Sequence, residues 1–164
     1  MGRAWVFGDN INTDVITPGR YNMTTDPQEM AKYCFCEVRP DFPQHVQAGD
    51  FVVAGPHFGS GSSRESAPLA IHASGIVAVI APSFARIFYR NAINVGLLAI
   101  TAPTEGIENG DELGLELERG QLLNRTQNNS VALEPLPGFM MDIQQAGGIV
   151  AYLNQNGGKL PSVG

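Results

Sequence analysis

Residues 50–81, DFVVAGPHFGSGSSRESAPLAIHASGIVAVIA, contain the pattern that decides the fold. The continuous apolar runs 50–55 and 75–81 are candidate buried strands. Between them, Ser62 and Glu65 match the S-x-x-E capping box that opens a helix, and residues 67–71 continue that helix. The order strand, glycine-rich turn, helix, strand predicts a βαβ unit with parallel strands.

The turn itself, Gly59-Ser60-Gly61-Ser62-Ser63-Arg64-Glu65, suits an anionic ligand. Glycines allow the backbone to turn tightly, and a helix N-terminus offers unpaired N–H groups and partial positive charge. Two hydroxyl groups and a guanidinium, which matches a carboxylate or a phosphate, stand in the same turn. A purely structural capping turn is about as plausible from this segment alone. The sequence lacks the dinucleotide G-x-G-x-x-G motif, a phosphate-loop lysine and a G-x-S-x-G nucleophile elbow.

The rest of the chain continues the α/β pattern. A strand is expected over residues 4–7, a helix capped by Asp26 with Pro27 in its first turn, and a helix from Ser83 to about Val95 that Gly96 ends. In that second helix, Phe84, Ile87 and Phe88 are expected to share one face. Residues 97–100 form a third buried run, and the alternating segments after residue 103 (112–118, 121–123, 130–133) indicate antiparallel strands. A final helix is expected from about residue 140 to 154. We therefore expect one α/β domain over residues 1–164.

Composition narrows the class of protein. The chain has 164 residues, 43% of them hydrophobic and 16% charged, with a net charge of -6 that disfavours nucleic acid as the main partner. We expect no membrane span and no signal peptide, and hence a cytoplasmic location. The two cysteines, Cys34 and Cys36, are expected to be free thiols rather than a metal site, because a structural zinc site usually has four ligands.

A second polar segment covers residues 8–21. Turn chemistry is the expected role of Asp9 and Asn12, whose side chains can bond to nearby backbone. Asp14 is a stronger candidate for a catalytic or binding role. Both polar segments follow strand candidates, so they could meet at one end of the sheet, where α/β proteins usually bind ligands.

Three ordered motifs together resemble one family over essentially the whole chain: residues 8–21, residues 58–68, and residues 83–94 with the sequence SFARIFYRNAIN. They are similar to the small subunits of 3-isopropylmalate dehydratase, in the short branch that also includes homoaconitase small subunits. This resemblance implies a three-layer swivelling β/β/α domain like the last domain of aconitase. It also implies a separate large subunit that carries a [4Fe–4S] cluster, with no cofactor or metal bound by this chain.

The resemblance also implies roles for individual residues. By similarity to aconitase, Ser62 would be the base, acting as an alkoxide, and Asp14 would belong to the acid–base network near the leaving hydroxyl. Ser63 and Arg64 would bind a substrate carboxylate. Arg20 would contact substrate or have a structural role, and Met23 would face the substituent that distinguishes one substrate from another.

Two departures from the family pattern bear on the substrate. Many members read Ser-Ser-Arg-Glu-His, whereas this chain has Ser66 in place of the histidine. After Tyr21 the chain reads Asn22-Met23-Thr24, without the arginine of homoaconitase-like members, so a third carboxylate loses its obvious partner. Met23 suits a small alkyl group, which favours 2-isopropylmalate and leaves dimethylmalate, methylmalate and, less readily, homoaconitate as alternatives.

Two readings outside enzymology also remain open. The chain could be a stand-alone anion-binding module, or a structural partner subunit whose lightly charged surface is an interface. The expected partners are the large iron–sulfur subunit and an alkylmalate, and the isolated chain could self-associate through its partner-facing surface.

Overall fold

The computed structural model describes residues 1–21, 24–61, 65–134 and 138–158. In this part of the chain the strands form a seven-stranded mixed sheet in the order β4-β3-β2-β1-β5-β6-β7. The strands are β1 (Gly2–Val6), β2 (Phe51–Val53), β3 (Ala78–Ala81), β4 (Leu98–Thr101), β5 (Glu112–Glu116), β6 (Gln121–Asn124) and β7 (Asn129–Ala132). The helices are α1 (Thr13–Ile16), α2 (Pro27–Ala31), α3 (Asp41–His45), α4 (Ser66–Ala73), α5 (Arg86–Val95), α6 (Gly138–Ala146) and α7 (Ile149–Gln155).

One half of the sheet is parallel. Strand β1 pairs with β2, β2 with β3 and β3 with β4, all in parallel register. Helix α4 connects β2 to β3, and α5 connects β3 to β4. The predicted βαβ unit is therefore confirmed, and its residues are buried on both faces, as a parallel sheet requires.

The other half is antiparallel and packs across the parallel strands. Strand β5 pairs with β1 through only two residue pairs, and β6 and β7 follow in antiparallel hairpins. Alternate residues of the parallel strands, such as Phe51 and Ile80, share a buried cluster with Leu113 and Leu122 of the antiparallel strands. The opposite face packs against the helices through residues such as Val52 and Val79. Helices, parallel strands and antiparallel strands thus form the three layers of the predicted β/β/α fold.

Two predicted helix starts were wrong. Helix α4 begins at Ser66, with Glu65 as its N-cap and no side-chain capping bond, later than the predicted start at Ser62, which itself lies outside the described residues. Helix α5 begins at Arg86, because residues 83–85 are used in bonds to the preceding loop. The Ser83 hydroxyl accepts the N–H of His57 (2.9 Å), and the Ser83 carbonyl accepts that of Phe58 (3.1 Å). Tertiary bonds at this position replace the local cap.

Two further helix predictions need correction. Ile87 is 50% exposed, because the face of α5 that meets the core is formed by Phe88 and Ala92, four residues apart. The predicted final helix is broken into α6 and α7 at Gly147 and Gly148, which have positive φ angles of 95° and 125°. No helix among the described residues is long and apolar enough to cross a membrane.

Candidate active site

The loop after β2 is bonded directly to the segment that follows β1. The N–H of Gly59 donates to the carbonyl of Ile11 (2.7 Å), and the N–H of Thr13 donates to the carbonyl of Ser60 (2.8 Å). Asn12 and Ser60 form a parallel β-bridge between these bonds. The two polar segments therefore meet at the carboxyl ends of neighbouring parallel strands, as the sequence predicts.

The third motif joins the same place. Phe58 and Phe84 form a second parallel bridge, and the N–H of Ala85 donates to the carbonyl of Phe58 (2.9 Å). The rings of Phe58 and Phe88 meet edge to face with centroids 5.1 Å apart. All three segments that carry the family resemblance thus converge on residues 58–61.

Glycine is required at the centre of this junction. Gly59 has a φ of +85°, and a β-carbon there would overlap the Phe88 ring. Gly61 has a φ of +104° and lies so that a β-carbon would be 3.2 Å from the Thr13 hydroxyl oxygen. Both positions combine a left-handed backbone with a close approach, which favours glycine.

Helix α1 presents Asp14 beside this loop. The Asn12 side chain caps the helix by accepting the N–H of Val15 (3.0 Å), so the prediction of turn chemistry for Asn12 is confirmed. Asp14 lies in the first turn, where the helix dipole favours a carboxylate, and its side chain is exposed. This arrangement puts an exposed carboxylate next in sequence to Thr13, whose N–H binds the carbonyl of Ser60.

Arg20 lies on the 3-10 turn Gly19–Tyr21 that follows α1. Its Nε atom is 2.8 Å from Oε1 of Glu37, and the Arg20 side chain is 68% exposed. This ion pair supplies a structural role for Arg20, while the exposed guanidinium remains accessible to a ligand. The described residues do not include four of the predicted site residues: Ser62, Ser63, Arg64 and Met23. The loop that contains the first three is described only at its flanking residues, Gly61 and Glu65.

Sequence reasoning missed several residues that shape this junction. Thr13 begins α1 and Thr17 caps its C-terminus, and the two residues are 2% and 5% exposed. Asn10 and His57 have positive φ angles of 54° and 61°, one in each of the two loops that meet. A pair of threonines spaced by four, on either side of Asp14, Val15 and Ile16, was the available signal, but their partners Ser60 and Ser66 are distant in sequence.

The environment of the two cysteines does not favour metal binding. Both are free, and Cys34 is fully buried. Burial raises the pKa of the Cys34 thiol far above its ordinary value and also raises the pKa of Cys36. Because the thiolate is the form that binds metals, these thiols are poor ligands. The prediction that both cysteines are free thiols is confirmed.

A cleft of about 190 Å³ lies away from this junction, between the N-terminal part of β1 and α3. Its guanidinium groups are already engaged: Arg39 binds Asp41 and Asn109, and Arg3 donates to the carbonyl of His45. These bonds tie α3 and the loop before β5 to β1, so the cleft has a structural explanation.

Comparisons with known proteins agree with this geometry. The family model of the aconitase C-terminal domain matches residues 9–105, which include all of the three converging segments except Gly8. The 3-isopropylmalate dehydratase small subunit 1 of Archaeoglobus fulgidus is 52% identical over 153 residues, covering 93% of this chain and 95% of that protein. The isopropylmalate/citramalate isomerase small subunit of Methanocaldococcus jannaschii is 49% identical over 156 residues, covering 94% and 93%.

A solved structure shows the same fold. The crystal structure of a 3-isopropylmalate dehydratase from Methanocaldococcus jannaschii superposes with a TM-score of 0.91 at 48% identity, covering 95% of this chain and 93% of that one. The predicted fold class is thereby confirmed.

Proposed function

We infer the function from one premise: the chain belongs to the aconitase C-terminal domain family and, within it, to the 3-isopropylmalate dehydratase small subunits. Its function is that of the small subunit of a two-subunit hydro-lyase, which isomerises 2-isopropylmalate and 3-isopropylmalate by dehydration and rehydration in leucine biosynthesis. The observation that carries this conclusion is about 50% identity to named small subunits over more than nine-tenths of the chain.

The residue roles are part of the proposal. Ser62 removes the proton next to the substrate carboxylate, and Ser63 and Arg64 bind that carboxylate. Asp14 exchanges protons with the hydroxyl that leaves and returns at the neighbouring carbon. Arg20 contacts a second carboxylate, and Met23 faces the alkyl group. The bonded junction of residues 11–13 with 59–60 supports this assignment, because it brings the Asp14 helix to the loop that contains the serines.

The cluster belongs on the partner subunit. An iron–sulfur cluster is held by several cysteine thiolates, and this chain has two cysteines, one of them fully buried. When bound, the [4Fe–4S] cluster would supply Lewis acidity toward the leaving hydroxyl. This chain supplies the base, the groups that bind the substrate carboxylates and the residue that faces the alkyl group. It therefore acts only in a hetero-oligomer with the large iron–sulfur subunit.

A second alkylmalate is the main alternative substrate. One relative is named an isopropylmalate/citramalate isomerase small subunit, and citramalate is a methylmalate. A methionine at position 23 is adaptable enough to contact either a methyl or an isopropyl group. We therefore expect 2-isopropylmalate to be the better substrate and citramalate to be turned over more slowly.

The decisive experiment is anaerobic co-purification followed by assay. The chain is isolated from its native extract without oxygen, and the co-purifying complex is assayed with 2-isopropylmalate and citramalate. The Ser62→Ala variant should assemble normally and lose on the order of a thousandfold in turnover, because it lacks the base. Ser74→Ala is the matched control: this serine lies at the other end of α4, where its hydroxyl donates to the carbonyl of Ala70 (2.8 Å).

Each contrary result points elsewhere. A chain that purifies alone, folded, and binds a carboxylate or phosphate would support a stand-alone anion-binding module. Loss of assembly in Ser62→Ala would support a structural role for the turn, and full activity in that variant would exclude Ser62 as the base.

A further inference from the structure

Thr17 and Ser66 form a buried contact between two hydroxyl groups at the edge of the candidate site. Their Oγ1 and Oγ atoms lie 3.4 Å apart, although 49 residues separate them in sequence. Thr17 is 5% exposed and Ser66 is 9% exposed, so water has little access to either hydroxyl. Buried hydroxyl groups are stable only with a hydrogen-bond partner, and here each is positioned to be the other's partner.

Residues 13–17 and residues 60–66 are therefore connected at both of their ends. Thr13 binds the carbonyl of Ser60 at one end, and Thr17 meets Ser66 at the other. Asp14 lies between the two threonines, and residues 61–65 lie between the two serines. A displacement of residues 13–17 relative to Ser60 and Ser66 would therefore break at least one of the two connections.

The direction of the hydrogen bonds follows from the donors available. The Thr17 hydroxyl donates to the carbonyl of Thr13 (3.3 Å), which also accepts the N–H of Thr17 (2.9 Å). With its proton used there, the Thr17 oxygen is the acceptor for the Ser66 hydroxyl. The loss of Thr17 would thus leave the Ser66 donor buried without this partner, whereas the loss of Ser66 would leave Thr17 bonded to Thr13.

We propose that Thr17 and Ser66 are positioning residues, whose hydroxyl contact holds helix α1, which carries Asp14, in place against the start of α4. Ser66 is also the position at which the sequence departs from the Ser-Ser-Arg-Glu-His pattern, and the contact gives that departure a physical role. The activity test of this proposal rests on the proposed function, whereas the exchange test described below does not.

In the assembled complex, Thr17→Val removes the hydroxyl at nearly constant volume. We expect kcat to fall about tenfold with KM changed less than about twofold, since misplacement of catalytic groups affects the reaction more than binding. Ser66→Ala should cost about threefold, and the double variant should be no worse than Thr17→Val, because both changes remove the same contact. Thr17→Ser restores the hydroxyl and should recover kcat to within about twofold of the unmodified complex, while Ser74→Ala should leave it unchanged.

In the isolated chain, amide hydrogen exchange measured by NMR gives a readout that does not need activity. The N–H groups of Thr13 and Gly59 bond across the junction, and both should exchange several times faster in Thr17→Val but not in Ser74→Ala. Unchanged exchange in Thr17→Val would overturn the proposal, as would additive kcat losses in the double variant. An inactive unmodified complex would instead overturn the proposed function, and the exchange result would still decide the role of Thr17.

Discussion

At the scale of single residues, Asp50 shows how one buried carboxylate holds several parts of the chain together. It is 3% exposed and accepts three N–H groups at 3.0 Å: from the backbone of Arg3, from the indole of Trp5 and from the backbone of Gln47. These bonds connect β1 to the turn that begins β2. The sequence placed Asp50 inside the buried run 50–55, whereas β2 begins at Phe51, and the three donors to Asp50 could not be predicted.

The substitution Asp50→Ala should lower the free energy of unfolding by about 3 kcal/mol, because it leaves buried N–H groups without an acceptor. Urea unfolding of the isolated chain measures the change. The control is Asp41→Ala: this carboxylate is 49% exposed and binds Arg39 on the surface, so its removal should cost clearly less. Equal losses in the two variants would refute the role given to Asp50.

At the scale of elements, Asp111 connects the segment before β5 to β6 and to the turn after it. One oxygen of its buried carboxylate accepts from the N–H of Glu108 (2.9 Å) and from the side chains of Asn124 (2.8 Å) and Gln127 (2.6 Å). Burial alone would raise the pKa of Asp111, but these hydrogen bonds together lower it below its ordinary value. The ionised carboxylate is therefore the form that the fold prefers.

A pKa lowered by folding means that Asp111 stabilises the fold above its unfolded pKa of about 4 and that this contribution is lost as the pH falls through the folded pKa. Asp111→Asn should therefore unfold at a lower urea concentration than the unmodified chain at pH 7, and the difference should shrink as the pH is lowered below about 4. Glu105→Gln changes an exposed acid on the same connection and serves as the control. A difference in urea midpoint between Asp111→Asn and the unmodified chain that grows at low pH would contradict the stabilising role of the ionised Asp111.

Helices and strands were predicted correctly where residues close in sequence determine them, and wrongly where contacts with distant residues do. The βαβ unit follows from two apolar runs, and the Asp26 cap with Pro27 is confirmed by the bond from the N–H of Gln28 (3.0 Å). The start assigned to Ser83 was wrong because bonds from residues 57 and 58 to its hydroxyl and carbonyl oxygens replace the local cap, and the start assigned to Ser62 was wrong because α4 begins only at Ser66. The Thr17–Ser66 contact could not be predicted, since nothing local to either residue indicates the other.

At the scale of the whole molecule, the fold consists of packed layers and has one polar edge, at the carboxyl ends of β1 and β2. The parallel strands alternate between a cluster shared with the helices and a cluster shared with the antiparallel strands, so both faces of these strands are committed to packing. Polar groups accumulate instead at the carboxyl ends of β1 and β2. The meeting of the two polar segments there was predicted, because parallel strands bring their carboxyl ends to one edge, whereas the contact that residues 83–85 make with the same loop was not.

Because both faces of the described parallel strands are packed without metal ligands, we predict that the small subunit folds without metal. Within residues 1–21, 24–61, 65–134 and 138–158, no group of three or more potential ligands could hold an ion, and the raised pKa of Cys34 keeps its thiol protonated. The isolated chain should therefore purify without iron, and chelator should not change its urea unfolding curve, because metal binding stabilises only a fold that contributes ligands. The same chelator, applied under oxidising conditions, should abolish turnover of the assembled complex, because we propose that the large subunit carries an iron–sulfur cluster. Iron retained by the isolated chain, with a chelator-dependent loss of stability, would place metal ligands on this subunit.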